Sequence, residues 1–163
     1  MRESACCFTG HRALSREDSA VLQYALRNEI ARLTERGVTA YYSGGAMGFD
    51  MLAAETVLEM RRTLPVTLHL LLPCRDQAVN WPLHLKRRYD AVLQAADSVA
   101  YITEKYDSTC MFRRNDALVA HTAFCICYLQ KPKGGTAYTV RKARREGLEI
   151  IHLLTVDAEK PDP

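Results

Sequence analysis

Short β-branched or apolar runs alternate along this chain with stretches in which apolar residues recur every three or four positions. The first pattern predicts strands and the second predicts helices packed by one face. Residues 5–9, 38–42, 66–72, 98–103, 122–129 and 148–154 predict six strands. Between them, helical spacing appears at Leu22, Leu26, Ile30 and Leu33, then at Phe49, Leu52, Ala53, Val57 and Met60. It returns at Leu85, Tyr89, Val92 and Leu93, at Met111, Leu118 and Val119, and at Ala137, Val140 and Ala143.

The punctuation fits those elements. Ser15 and Asp18 predict a capped helix start. Gly37 and Gly147 stand where helices should stop, helix 49–63 breaks before Pro65, and Pro73 is expected to end the third strand. Strict alternation of strand and helix implies right-handed crossovers and a parallel sheet covered on both faces. The expected fold class is therefore α/β, a Rossmann-like three-layer α/β/α arrangement with a mainly parallel six-stranded sheet.

A length of 163 residues suits one domain, placed at 1–156 with a polar tail at 157–163. No run of about 18 apolar residues occurs, and 1–4 lead straight into a strand, so no membrane span or signal peptide is expected and the chain reads as cytoplasmic. The six cysteines form no C-x-x-C pair and four lie in apolar runs, which argues against disulfides and a zinc site. A net charge of +3 is too small to imply nucleic-acid binding by bulk electrostatics. The basic clusters at 86–88, 113–114 and 141–145 read first as solvated helix faces.

Glycine placement changes the picture. Gly10, Gly44, Gly45, Gly48, Gly134 and Gly135 all follow the carboxyl ends of expected strands, the edge where open α/β sheets bind ligands. The central stretch is Ser43-Gly44-Gly45-Ala46-Met47-Gly48-Phe49-Asp50, a strand-to-helix turn read either as an anion grip or as a tight packing turn. Beside Gly10-His11-Arg12 and the loop Lys133 to Thr136, with its Gly134-Gly135-Thr136, it predicts a three-loop pocket for a phosphorylated ligand, with Ser43 and Thr136 offering hydroxyls. Arg12 and Arg114 are candidate phosphate contacts, and Asn115 a ligand or loop contact. Asp50 and His11 are candidate proton carriers, although no Ser-His-Asp order, H-E-x-x-H or paired carboxylate stands out. Trp81 reads as a stacking lid or as a core anchor.

Taken together, Thr9-Gly10-His11-Arg12, the 43–50 turn with Leu52-Ala53-Ala54-Glu55, Gln77 and Trp81, Arg114-Asn115 and Gly134-Gly135-Thr136 resemble the YpsA-like branch of the SLOG superfamily, over about residues 7–153. The resemblance implies a Rossmann-like fold and a small-molecule site for a nucleotide or nucleotide-derived ligand such as ADP-ribose or an NAD derivative. It also brings in LOG-type phosphoribohydrolases and the single-stranded-DNA-binding DprA domain, so an N-glycosidic or phosphoester hydrolase and a nucleic-acid-binding module are the rival readings. The hydrolase branch resembles P-G-G-x-G-T-x-x-E; Thr139 occupies the glutamate's place in this chain. Self-association is common among such relatives, and Tyr89, Tyr101 and Tyr106 are candidates for a homo-oligomer interface.

Overall fold

In the computed structural model, residues 1–153 are described. A 3-10 turn at Arg2–Ser4 precedes β1 (Ala5–Gly10), α1 (Arg16–Glu35), β2 (Ala40–Ser43), α2 (Phe49–Met60) and β3 (Thr67–Cys74). There follow α3 (Leu83–Ala95), β4 (Ser98–Thr103), α4 (Cys110–Ala120), β5 (Phe124–Tyr128), α5 (Gly134–Arg145) and β6 (Glu149–His152). The six strands form one sheet in the order β4-β3-β2-β1-β5-β6, every pair parallel. This is the expected Rossmann-like three-layer fold. The expected domain limit at 156 and the tail 157–163 lie outside the described residues.

Alternation in β1 explains the layers. Cys6 and Phe8 face a core shared with α1, α2 and α3, where Leu22, Leu26, Ile30, Leu33, Val57 and Tyr89 are buried. Cys7 faces the smaller core beneath α4 and α5, with Leu118, Val119, Val140 and Ala143. All six cysteines are free and buried, behaving as small core residues.

Helix ends follow local chemistry. The Ser15 hydroxyl accepts from the Asp18 N–H at 3.0 Å to open α1. At the other end Gly37 (φ 97°) donates to Thr34 and Val38 donates to Leu33, the paired bonds of a Schellman stop. Val38 therefore belongs to the stop, which delays β2 to Ala40. Thr122 likewise serves α4, its hydroxyl donating to the Leu118 carbonyl at 2.8 Å, so β5 begins at Phe124.

Pro73 does not end β3, contrary to the expectation from sequence. Pairing with β2 stops at Ser43 opposite Leu70, so beyond that point β3 has β4 alone as a neighbour. A proline costs no ladder bond toward a vacant side, and the Pro73 carbonyl accepts from the Thr103 hydroxyl at 3.1 Å.

The strand order reverses at β1, whose neighbours are β2 and β5. The chain leaves β1 toward one side of the sheet and returns to β5 on the other, splaying the connections after β1 and β5 to leave a crevice at the strand ends. Gly10 closes β1 opposite Tyr128 at that fork. A methyl group there would lie only 2.6 Å from the Phe49 Cβ, so the fork is packed shut below the crevice. Gly10→Ala is expected to lower stability by about 1–3 kcal/mol, the range for overpacking, read as a lower urea midpoint at unchanged slope.

Candidate functional site

The crevice is a cleft of about 360 Å³ lined by the loop after β1, the first turns of α4 and α5, and part of the β2–α2 turn. Its wall includes Gly10, His11, Arg12, Ala46 and Asp50, with Arg114, Asn115, Gly134, Gly135 and Thr136 opposite. Ten of the sequence-predicted residues therefore converge.

Four do not line it. Ser43 is fully buried, its hydroxyl donating to the Asp50 carbonyl at 3.0 Å and accepting from the Gly45 N–H at 3.2 Å. The Gly44 carbonyl accepts a hydrogen bond from Arg114 Nη1, and a methyl on Gly44 would sit 2.7 Å from that same nitrogen. Gly45 (φ 67°) lies against Leu72 and offers its carbonyl to Gln77 Nε2 at 3.2 Å. Gly48 (φ 80°) packs against the backbone of His11 and Arg12, and the Phe49 N–H donates to the His11 carbonyl at 3.1 Å. The N-terminus of α2 is thus occupied by protein. Within the 43–50 turn the glycines allow close packing, while Ala46 and Asp50 reach the cleft.

Arg114 is the most constrained cation in the wall, 4% exposed. Nη1 holds the Gly44 carbonyl, Nε donates to Asn115 Oδ1 at 2.8 Å, and Nη2 approaches the Met111 sulfur at 3.7 Å. Among the described residues it makes no ion pair, although Asp50 attracts it through space. Arg113, one residue earlier, faces elsewhere and pairs with Asp107 at 3.8 Å.

Asp50 is 6% exposed, and its Oδ2 accepts from the Ala46 N–H at 3.3 Å. Burial pushes its pKa up to about 6, opposed by Arg114, that N–H and Arg12. The Gln130 N–H donates to His11 Nε2 at 2.8 Å, so the proton of neutral His11 is assigned to Nδ1. Burial, and then Lys131, lower the His11 pKa, which keeps the ring neutral at pH 7. His11 also rests edge-on against Tyr128 at 5.5 Å.

At α5 the N-cap residue Lys133 makes no side-chain capping bond, leaving the first backbone donors of the helix toward the cleft uncapped by a side chain. Thr139 is buried and its hydroxyl donates to the Gly135 carbonyl at 2.9 Å, so the position matched to the hydrolase glutamate is turned back into its own helix. Asp50 is the one carboxylate among the residues lining the cleft.

Lys133, at the start of the third loop, also lines the cleft, as do Met111, expected as a packing residue of its helix, and Phe112, on which the sequence placed no role. Phe112, 49% exposed, had one usable signal: an aromatic residue directly before Arg113 and Arg114 that breaks the apolar period of α4. Trp81 lies outside the cleft, edge-on to buried Tyr89 at 5.1 Å, while Gln77 props Gly45 from behind. Of the three tyrosines considered for an interface, Tyr89 is buried, Tyr101 lies beneath Arg75 at 4.2 Å, and Tyr106 is exposed. Among the described residues, no group of three or more His, Cys, Asp or Glu could hold a metal, and no helix is long and apolar enough to cross a membrane.

A family model described as the YspA SLOG family matches residues 6–158. A UPF0398 protein of Halalkalibacterium halodurans is 28% identical over 128 residues, 76% of this chain and 68% of that protein. Among solved structures, DNA processing protein A (DprA) of Streptococcus pneumoniae superposes with a TM-score of 0.70 at 19% identity, over 92% of this chain and 50% of that one. The Helicobacter pylori DprA, described for its single-stranded DNA binding mode, gives 0.66 at 20% identity, over 91% and 64%. This chain thus spans about half to two thirds of the DprA chains, and the likeness to them is one of fold.

Two expectations follow from the geometry. Ser43→Ala strands a buried N–H and a buried carbonyl, and is expected to cost about 1–3 kcal/mol by urea titration. Asp50 holds its proton to higher pH when folded than when unfolded, so stability falls as pH rises from about 4 to about 6 and is flat above. Asp50→Asn, which mimics the protonated group, is expected to remove that fall and to be more stable than wild type at pH 7 by on the order of 1–3 kcal/mol.

Proposed function

The chain belongs to the YspA SLOG family, and from that premise we propose that the cleft binds the phosphate of a nucleotide or nucleotide-derived ligand. The observation that carries this reading is Arg114: a buried guanidinium in a cleft wall, held rigid by Gly44 and Asn115 and lacking an ion-pair partner among the described residues. A buried cation is costly unless a counter-charge completes it. A phosphate does so, and guanidinium geometry suits it. The uncapped start of α5, which lines the same cleft, contributes backbone donors and a partial positive charge. Lys133, Arg12 and the Thr136 hydroxyl complete an anion-favouring rim.

The cleft is larger than a phosphate. Phe8, Met111, Phe112 and Leu118 give it an apolar portion, which fits the ribose and base of a nucleotide better than an inorganic ion. A regulatory or sensing role agrees with a site rich in anion contacts and poor in groups for chemistry.

One observation favours a second reading, hydrolysis of an N-glycosidic or phosphoester bond. Asp50 is a cleft carboxylate whose pKa of about 6 suits proton transfer near neutral pH. It would have to replace the glutamate whose place Thr139 takes. The phosphate can also belong to a strand, as the single-stranded DNA binding of the Helicobacter DprA suggests by analogy.

Thermal unfolding with AMP, ADP-ribose and NAD tests the binding reading. A ligand at 100 times its Kd adds about 2.7 kcal/mol, a rise of roughly 5–10 °C for a chain of this size. Thr136→Ala and Arg114→Lys are expected to lose most of that rise; absence of any shift in the wild type sinks the reading. Chromatography of the same incubations decides on turnover, since release of free base or phosphate by wild type and not by Asp50→Asn would establish the hydrolase.

A further inference from the structure

The cleft does not end at α4. Phe112, in its wall, meets the ring of Tyr138 edge-on at 5.0 Å. Tyr138 in turn opens a second groove of about 460 Å³ whose other lining residues are Arg141, Arg144 and Arg145. All four belong to α5, the helix whose first turn forms the anion-favouring end of the cleft.

What marks these arginines is that they cluster on one helix that carries no acid. Elsewhere Arg27, Arg32, Arg36, Arg61, Arg75, Arg88 and Arg113 each pair with a carboxylate. Arg141, Arg144 and Arg145 form no ion pair among the described residues. The twelve residues of α5 include four cations and no acid. The nearby Asp116 is already engaged, accepting from the Tyr138 hydroxyl at 2.8 Å and pairing with Lys142 at 3.2 Å. Favourable interaction with the C-terminal end of the helix dipole accounts for cations in the last turn. It does not account for Arg141, or for an exposed phenylalanine set against a tyrosine between two cavities.

We propose that the face of α5 carrying Tyr138, Arg141, Arg144 and Arg145, joined to the cleft through Phe112, is a track for a single-stranded oligonucleotide. It would bind with one phosphate in the cleft, a base on the Phe112–Tyr138 pair and the following phosphates on the arginines. The proposal rests on the reading of the cleft as a phosphate site and extends it along the helix. At 1.5 Å per residue, the distance from Gly134 to Arg145 is roughly 16 Å, room for a few nucleotides. Successive phosphates with stacked bases between them require the sequence of features that this face presents: backbone donors, aromatic surface and unpaired guanidinium groups. A folded acidic protein surface would have no comparable use for the aromatic step, and a lone nucleotide would have none for the distal arginines.

The test is fluorescence anisotropy of the full chain with end-labelled oligo(dT) and oligo(U) of twelve nucleotides, run over a salt series. Both strands carry the recognised chemistry, and the comparison tells which backbone is preferred. Arg141→Glu combined with Arg145→Glu changes exposed residues, and is expected to weaken the preferred strand at least about tenfold. Replacing both arginines by alanine should lower the salt slope by about 1.4, the single-strand value for two phosphate contacts. Phe112→Ala should weaken binding about fivefold or more. Binding of neither strand overturns the proposal, as does equal affinity for wild type and the double charge reversal. The AMP thermal shift is measured in parallel. If it persists in the wild type while the strand fails to bind, the track is wrong and the cleft reading stands; strand binding sensitive to the arginines without an AMP shift supports the track and removes the mononucleotide reading.

Discussion

A charged guanidinium buried at the end of a sheet constrains everything around it. Arg114 cannot lose its charge at any relevant pH, so the fold must supply partners. It draws on the Gly44 carbonyl from the β2–α2 turn and the Asn115 side chain from its own helix, with Asp50 as a charge nearby. Each partner imposes a further condition. Gly44 must lack a side chain because the guanidinium lies where a Cβ would be. Ser43 must hold both the Gly45 N–H and the Asp50 carbonyl so that the turn presents Gly44 at the right height. Gly48 must admit the backbone after β1. The turn and the cation thus form one unit, tied across three elements.

That coupling explains what the sequence disclosed and what it withheld. The alternating periods specified strands, helices and sheet type, because each depends on residues within one element and on a shared need to cover both faces. Gly37 and Gly147 were legible for the same reason: a helix stop is settled by a local φ and two nearby carbonyls. Pro73 misled because its tolerance depends on where β2 ends, a fact stored thirty residues upstream.

The roles of the glycines were harder still. Helix N-termini look alike in sequence whether they face solvent, a ligand or another loop. The start of α2 is met by the His11 carbonyl, whereas that of α5 borders the cleft. Choosing between them needs the partner's position, which no periodicity carries. The convergence on one sheet edge was nevertheless readable, since six glycines followed strand ends and parallel topology gathers those ends together. Phe112 was not legible because an exposed residue leaves no mark on the hydrophobic pattern.

The helix α5 links the two halves of the electrostatic picture. An isolated helix is positive at its N-terminus and negative at its C-terminus. In α5 the N-terminal end lies open at the cleft with Lys133 at the cap, and the C-terminal end carries Lys142, Arg144 and Arg145. The side chains outweigh the dipole where it would be negative, so the helix has no anion-repelling end. A core helix needs no such arrangement, for Ala137, Val140 and Ala143 already secure it to the sheet. The exposed face is therefore under a different requirement from the buried one. Cations at its cap and in its last turn make the exposed face of α5 positive from end to end, with no acid in the helix to offset them.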